Sequence, residues 1–111
     1  MKKKKLGDPL AVNYCVQLWD VDSGDRLWAT VPIRSPWCLA ISPDGRLIAS
    51  GSDSTIDLWS AATGKKVFEF PGHLDEIRAL IFSPDGKKLI SGAMDMTVLV
   101  WDLSPAIERV Q

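Results

Sequence analysis

A four-residue string, Ser42-Pro43-Asp44-Gly45, returns as Ser83-Pro84-Asp85-Gly86 at an offset of 41. The match extends beyond the string. Arg46-Leu47-Ile48-Ala49-Ser50-Gly51 aligns with Lys87-Lys88-Leu89-Ile90-Ser91-Gly92 at the same offset, and Leu58-Trp59 aligns with Val100-Trp101 after a one-residue insertion near Ala93-Met94. Leu18-Trp19-Asp20 precedes Trp59 by 40 positions, so three related elements end at Trp19, Trp59 and Trp101. A period between about 20 and 50 residues marks an array of one supersecondary unit, each copy too small to bury its apolar face except against its neighbours. That constraint outranks composition in deciding the fold.

The unit reads as β throughout. Thr55-Ile56-Asp57-Leu58-Trp59 and Thr97-Val98-Leu99-Val100-Trp101 are short, rich in β-branched and aromatic residues, and end at turn formers. Ser-Pro-Asp-Gly suits a tight turn, because Pro presets φ, Asp bonds back to its own backbone, and Gly accepts positive φ. Asp22-Ser23-Gly24 and Ala62-Thr63-Gly64 serve the same purpose after the first two Trp strands. The pattern predicts strands over 14–20, 25–31, 36–42, 46–51, 55–59, 65–70, 76–83, 87–92 and 97–102, and no helix of useful length.

The run Gly72-His73, Phe82-Ser83-Pro84-Asp85-Gly86, Ser91-Gly92, Asp95 and Thr97 to Trp101-Asp102 resembles a WD (Trp-Asp) repeat of the β-propeller family. The preceding unit is a poorer copy. Ser50, Asp53 and Trp59 are in place, but Pro32 stands where the His falls and Ser60 where the closing Asp falls. The resemblance implies an all-β fold of four-stranded antiparallel blades, strands a to d from the central channel outward. Mapped onto this chain it gives c and d, then a full a, b, c, d, then a, b, c: an incomplete propeller, one full blade flanked by two partial blades. The organisation expected is a basic N-terminal tail over 1–13, the partial propeller over 14–102 and a C-terminal tail over 103–111.

His73, Ser91 and Asp95 contain the elements of a hydrolase triad. The resemblance assigns them, with Trp101, to a buried hydrogen-bond network that ties the loop before strand a to the turn between b and c. Ser50, Asp53 and Trp59 hold the matching positions one unit earlier, without the His, which leaves that blade less well pinned. Trp19, Trp59 and Trp101 are expected between blades; Trp28 on the outermost strand and Trp37 at the start of a strand a are the two aromatics a partner could meet, packing against an adjacent blade being the leading expectation for both. No phosphate loop, Cys-His pairing or His-Glu-x-x-His site is present, and no cofactor or metal is implied.

Net charge is −1, yet Lys2 to Lys5 supply four positive charges and the remainder carries nine basic against 14 acidic residues. Basic charge confined to one end is not the face or stripe of a nucleic-acid binder, and it reads as a solvated tail. An anion-seeking arm or localisation signal is the alternative use of those lysines. No segment reaches the roughly 20 apolar residues of a membrane span, and Gly7, Asp8, Pro9 and Asn13 interrupt what a secretory signal requires. Cys15 and Cys38 sit in apolar alternating runs and read as small buried hydrophobes of a reducing, cytoplasmic compartment.

The family resemblance implies a non-catalytic scaffold that binds peptides or protein surfaces through its loops. The candidate contact residues are Arg34, Trp37, Asp75, Glu76, Met94 and Met96, since mixed aromatic, Met and charged groups are what interfaces use. The alternative is enzymatic: Trp19 through Gly45 also resembles surface-layer and lactonase-like propeller repeats, which place metal ligands around the channel. Two and a quarter repeats do not close a ring, so the blades are expected to meet further blades, from a longer chain or from other copies, and an isolated chain is expected to expose an apolar patch.

Overall fold

The computed structural model describes residues 15–30, 37–73 and 75–109. Nine strands and one helix are formed among them: β1 (Gln17–Trp19), β2 (Arg26–Ala29), β3 (Cys38–Ile41), β4 (Leu47–Gly51), β5 (Thr55–Ser60), β6 (Lys66–Pro71), β7 (Ile77–Phe82), β8 (Lys88–Ala93), β9 (Val98–Asp102) and α1 (Ser104–Arg109). They make three antiparallel sheets, β1-β2, β3-β4-β5-β6 and β7-β8-β9. These are the two-, four- and three-stranded blades that the family resemblance implies, here called blades 1, 2 and 3. Every expected strand is present.

The repeated turns are built alike. Gly45 and Gly86 take φ of 74° and 73°, and their amides donate to the Ser42 and Ser83 carbonyls at 2.9 and 2.8 Å. In each turn the Ser hydroxyl bonds the Asp carboxylate and accepts a backbone N–H, that of Leu47 or Lys88 at 3.0 Å. The register of β3 on β4 and of β7 on β8 is fixed by these turns.

Alternation sorts the side chains of blade 2 onto two faces. Ile56 and Leu58 of β5 point toward blade 3 and are fully buried in a core with Ile77, Phe82 and Leu89. Trp59, one residue on, points to the opposite face and packs with Val16, Ile48, Trp28 and Ala61 against blade 1. Trp28 is not a free aromatic. Its indole N–H donates to the Ala61 carbonyl at 2.8 Å, and its ring lies so close to Gly64 that a Cβ there would sit 2.7 Å from it. Trp19 departs from expectation: it is 53% exposed, because no described blade covers its face.

The segment 103–111, read from sequence as a tail, is not one over its described part. Leu103 and Ala106 are fully buried, and α1 packs on β6 with Ile107 against the same core. Asp102 holds the start of the helix, accepting from the Ser104 amide at 3.0 Å and hydroxyl at 2.9 Å, and Pro105 suits a first turn that needs no amide donor. Cys15 and Cys38 are free thiols, half-buried rather than buried.

Candidate binding face

Below the loop face of blade 3 runs a chain of polar contacts. Trp101 donates its indole N–H to Ser91 Oγ at 2.8 Å, Ser91 Oγ lies 2.6 Å from His73 Nε2, and His73 Nδ1 lies 3.3 Å from Thr97 Oγ1. Thr97 donates its hydroxyl to Asp95 Oδ1 at 2.6 Å. One proton order satisfies all of them with a neutral imidazole: indole to Ser91, Ser91 to Nε2, Nδ1–H to Thr97, Thr97 to Asp95. Ser91 is fully buried and His73 is 4% exposed. A hydroxyl sealed from solvent and engaged twice is not placed to attack a substrate.

Blade 2 keeps half of this arrangement. Trp59 donates to Ser50 Oγ at 2.9 Å, both side chains being buried. Asp53 leaves the pair: its exposed carboxylate accepts the Trp37 indole N–H at 3.1 Å. No histidine occupies the place that His73 holds in the next unit.

That bond starts a second line of contacts, this one on the surface. The Arg78 guanidinium lies over the Trp37 ring, 4.5 Å from its centroid, and donates to Glu76 Oε1 from Nη2 at 2.8 Å and Nε at 3.1 Å. The Glu76 carbonyl accepts the Met94 amide at 2.9 Å, and the Glu76 amide donates to Asp75 Oδ1 at 2.7 Å. Asp53, Trp37, Arg78, Glu76 and Met94 thus form one run from blade 2 to blade 3. The blades are held together beneath it by the Ile77 amide on the Ser52 carbonyl at 2.9 Å and the Cys38 thiol on the Ile77 carbonyl at 3.3 Å. Burial there pushes the Cys38 thiol above its ordinary range.

Trp37 is 43% exposed, Met94 54% and Met96 92%. Met96 is the one described non-glycine residue with positive φ, 68°, in a turn closed by its amide on the Ala93 carbonyl at 3.0 Å. The one-residue insertion near Ala93-Met94 therefore appears in three dimensions as a turn that carries a thioether out into solvent. Arg34 and its neighbours over 31–36, and Leu74, lie outside the described residues.

Sequence reasoning missed Arg78. The signal was available, because Arg78 stands 41 residues after Trp37, at the same place in the repeat. A bulge between Ile77 and Ala79 leaves Arg78 out of the ladder, which turns its side chain toward the neighbouring blade. Among the described residues no group of three or more His, Cys, Asp or Glu converges to hold a metal, and no helix is long and apolar enough to cross a membrane.

Comparison with known proteins gives the following. The family described as WD domain, G-beta repeat, matches residues 32–60 and 64–102. The chain is 35% identical over 77 residues to a periodic tryptophan protein 2 homolog of Neurospora crassa, covering 67% of this chain and 9% of that protein. It is 38% identical over 92 residues to protein groucho of Drosophila melanogaster, covering 79% and 13%. It is 33% identical over 97 residues to WD repeat and SOCS box-containing protein 1 of Mus musculus, covering 75% and 23%. The chain thus spans less than a quarter of the length of these relatives. Among solved structures, the computationally designed Ika4 protein superposes with a TM-score of 0.68 at 33% identity, over 78% of this chain and 52% of that one.

Proposed function

Because the chain belongs to the WD domain, G-beta repeat family, we propose that it is a non-catalytic interaction module whose loop face, centred on Trp37 and Arg78, binds a peptide or protein segment. Proteins of this family serve generally as interaction scaffolds. The observation that carries the reading here is the run Asp53, Trp37, Arg78 and Glu76 beside the exposed thioethers of Met94 and Met96. An indole held by a carboxylate at its edge and a guanidinium over its face is fixed in place before a partner arrives, so little side-chain freedom is lost on binding. Flexible, polarizable methionines beside it fit a range of apolar side chains. Charged groups at the margin set register and discriminate between partners.

The burial of Ser91 and its double engagement support a structural role for that hydroxyl, and the Thr97 bond gives Asp95 a local one. Among the described residues of the site, none favours the lactonase-like reading.

The test is a screen of immobilised peptides against the intact chain, repeated with Trp37→Ala and with Met94→Ser/Met96→Ser. Peptides retained by the parent chain should be lost in both variants, with circular dichroism unchanged. Retention that is indifferent to both would remove the loop face as the binding surface, and metal-dependent turnover of a lactone by the intact chain would restore the enzymatic alternative.

A further inference from the structure

Contacts between blades in this chain obey one pattern, and both ends of the chain present it unfulfilled. Ile56 and Leu58 on β5 are fully buried against blade 3, in the core on which Trp101 of that blade packs. Residues 42 positions later, Val98 and Val100 on β9, face the equivalent side of their own sheet and are 67% and 62% exposed. Ile81 lies in the same cross-strand row as Val100, through Ile90, and is 61% exposed.

The other end shows the reciprocal half. Trp59 is 2% exposed because Val16, the counterpart of Ile56 and Val98 in the repeat, packs on it with Trp28. Trp19, its counterpart 40 positions earlier, is 53% exposed. So the pairing of a strand-c apolar residue with the indole of the following blade occurs at both internal junctions. The same two surfaces stand open at opposite ends of the molecule: the valines of β9 at one, Trp19 at the other.

We infer that copies of this chain associate head to tail, with Trp19 of one copy seated against Val98, Val100 and Ile81 of the next. The two surfaces differ and lie on different blades, so the contact is heterologous and not a patch paired with itself. A second copy is the occupant to which the molecule itself points, because each copy carries the half that the other lacks, in a geometry that its own junctions already use. The association is independent of the loop face, since none of its residues belongs to the run around Trp37.

Sedimentation velocity on the full 111-residue chain, from low micromolar to near millimolar concentration, tests it. The weight-average mass should rise above that of one chain as concentration increases. Val100→Lys and Trp19→Ser each remove one half, and each alone should weaken association at least about tenfold, with far-ultraviolet circular dichroism unchanged because both side chains are exposed. Mixed in equal amounts, the two variants should form a species of two chains and nothing larger, since each retains the half that the other has lost. The Trp19 component of the fluorescence, parent minus Trp19→Phe, should shift to the blue as concentration rises, and this readout needs no charged substitution. A mass of one chain at every concentration overturns the inference. So does association that survives both single variants, or a mixture that fails to recover, which would indicate a self-paired patch or the open edge of β9. Trp37→Ala should leave association untouched while abolishing peptide retention, so the two readings fail separately.

Discussion

Trp101 and Ser91 are joined by an indole N–H bond of 2.8 Å, and Trp59 and Ser50 repeat the bond one blade earlier at 2.9 Å. What separates the two pairs is the third partner: Ser91 also meets His73 at 2.6 Å, whereas the earlier unit has no histidine at that place. The same bond sits in two settings within one molecule.

Ser91→Ala leaves the Trp101 N–H and the His73 ring nitrogen without partners in a buried site, and each orphaned group costs about 1–3 kcal/mol. Ser50→Ala orphans one indole. Urea denaturation should show Ser91→Ala destabilised by roughly 2–4 kcal/mol and Ser50→Ala by about half of that; equal losses would show that His73 adds nothing to the pinning of blade 3.

Arg78 and Trp37 couple blades 2 and 3 at the surface. A double-mutant cycle with Arg78→Ala and Trp37→Ala should return an interaction energy of about 0.5–1 kcal/mol, the range for an exposed cation–π pair. Additive effects would remove that contact as a contributor to stability.

Asp57 is the described buried polar group whose Oδ1 has no hydrogen bond. Lys66 Nζ lies 3.5 Å from that oxygen as an ion contact only, and bonds Glu69 at 2.9 Å. Burial pushes the Asp57 carboxyl up despite the pull of Lys66. A carboxylate raised in the folded state favours folding below its unfolded value and loses that contribution as pH rises through the folded value. Asp57→Asn should therefore be more stable than the parent at neutral pH, with the difference vanishing below about pH 4, as thermal melts across pH would show.

The turn aspartates work in the opposite sense. The Ser42 hydroxyl and Arg46 amide hold Asp44 below the usual carboxylate range, and the Ser83 hydroxyl and Lys87 amide do the same for Asp85. Their contribution is present above the unfolded value and is lost as pH falls through the folded one. Asp44→Ala/Asp85→Ala should flatten the acid limb of the stability profile below about pH 4 and leave the shape of the neutral region unchanged.

Helix α1 should behave as part of the core. Leu103→Ala removes a fully buried side chain and should cost about 2–5 kcal/mol, while Asp102→Ala, which deletes the two bonds to Ser104, should lower stability by a smaller but measurable amount. Differential scanning calorimetry distinguishes this from a tail, for which both changes would be neutral.

Much of the site was legible in advance because it is written in the repeat. His73, Ser91 and Trp101 were marked by position and are bonded in space. Arg78 was overlooked although it repeats the position of Trp37, because its importance comes from a bulge and from a ring contributed by the neighbouring blade. Helix α1 was missed for a related reason. Six residues are too few for helical periodicity to show, and what holds them is the apolar surface of β6 together with the Asp102 cap.

The sequence by itself determined the nine described strands and their turns, because strand propensity and turn chemistry act over short stretches of chain, and their grouping into sheets of two, four and three followed from the family resemblance that the repeated residues carry. Only the tertiary structure decided which indoles are covered, which carboxylate loses its partner and where a guanidinium finds a ring. Those outcomes depend on what the adjacent blade presents, and no single repeat contains its neighbour's surface.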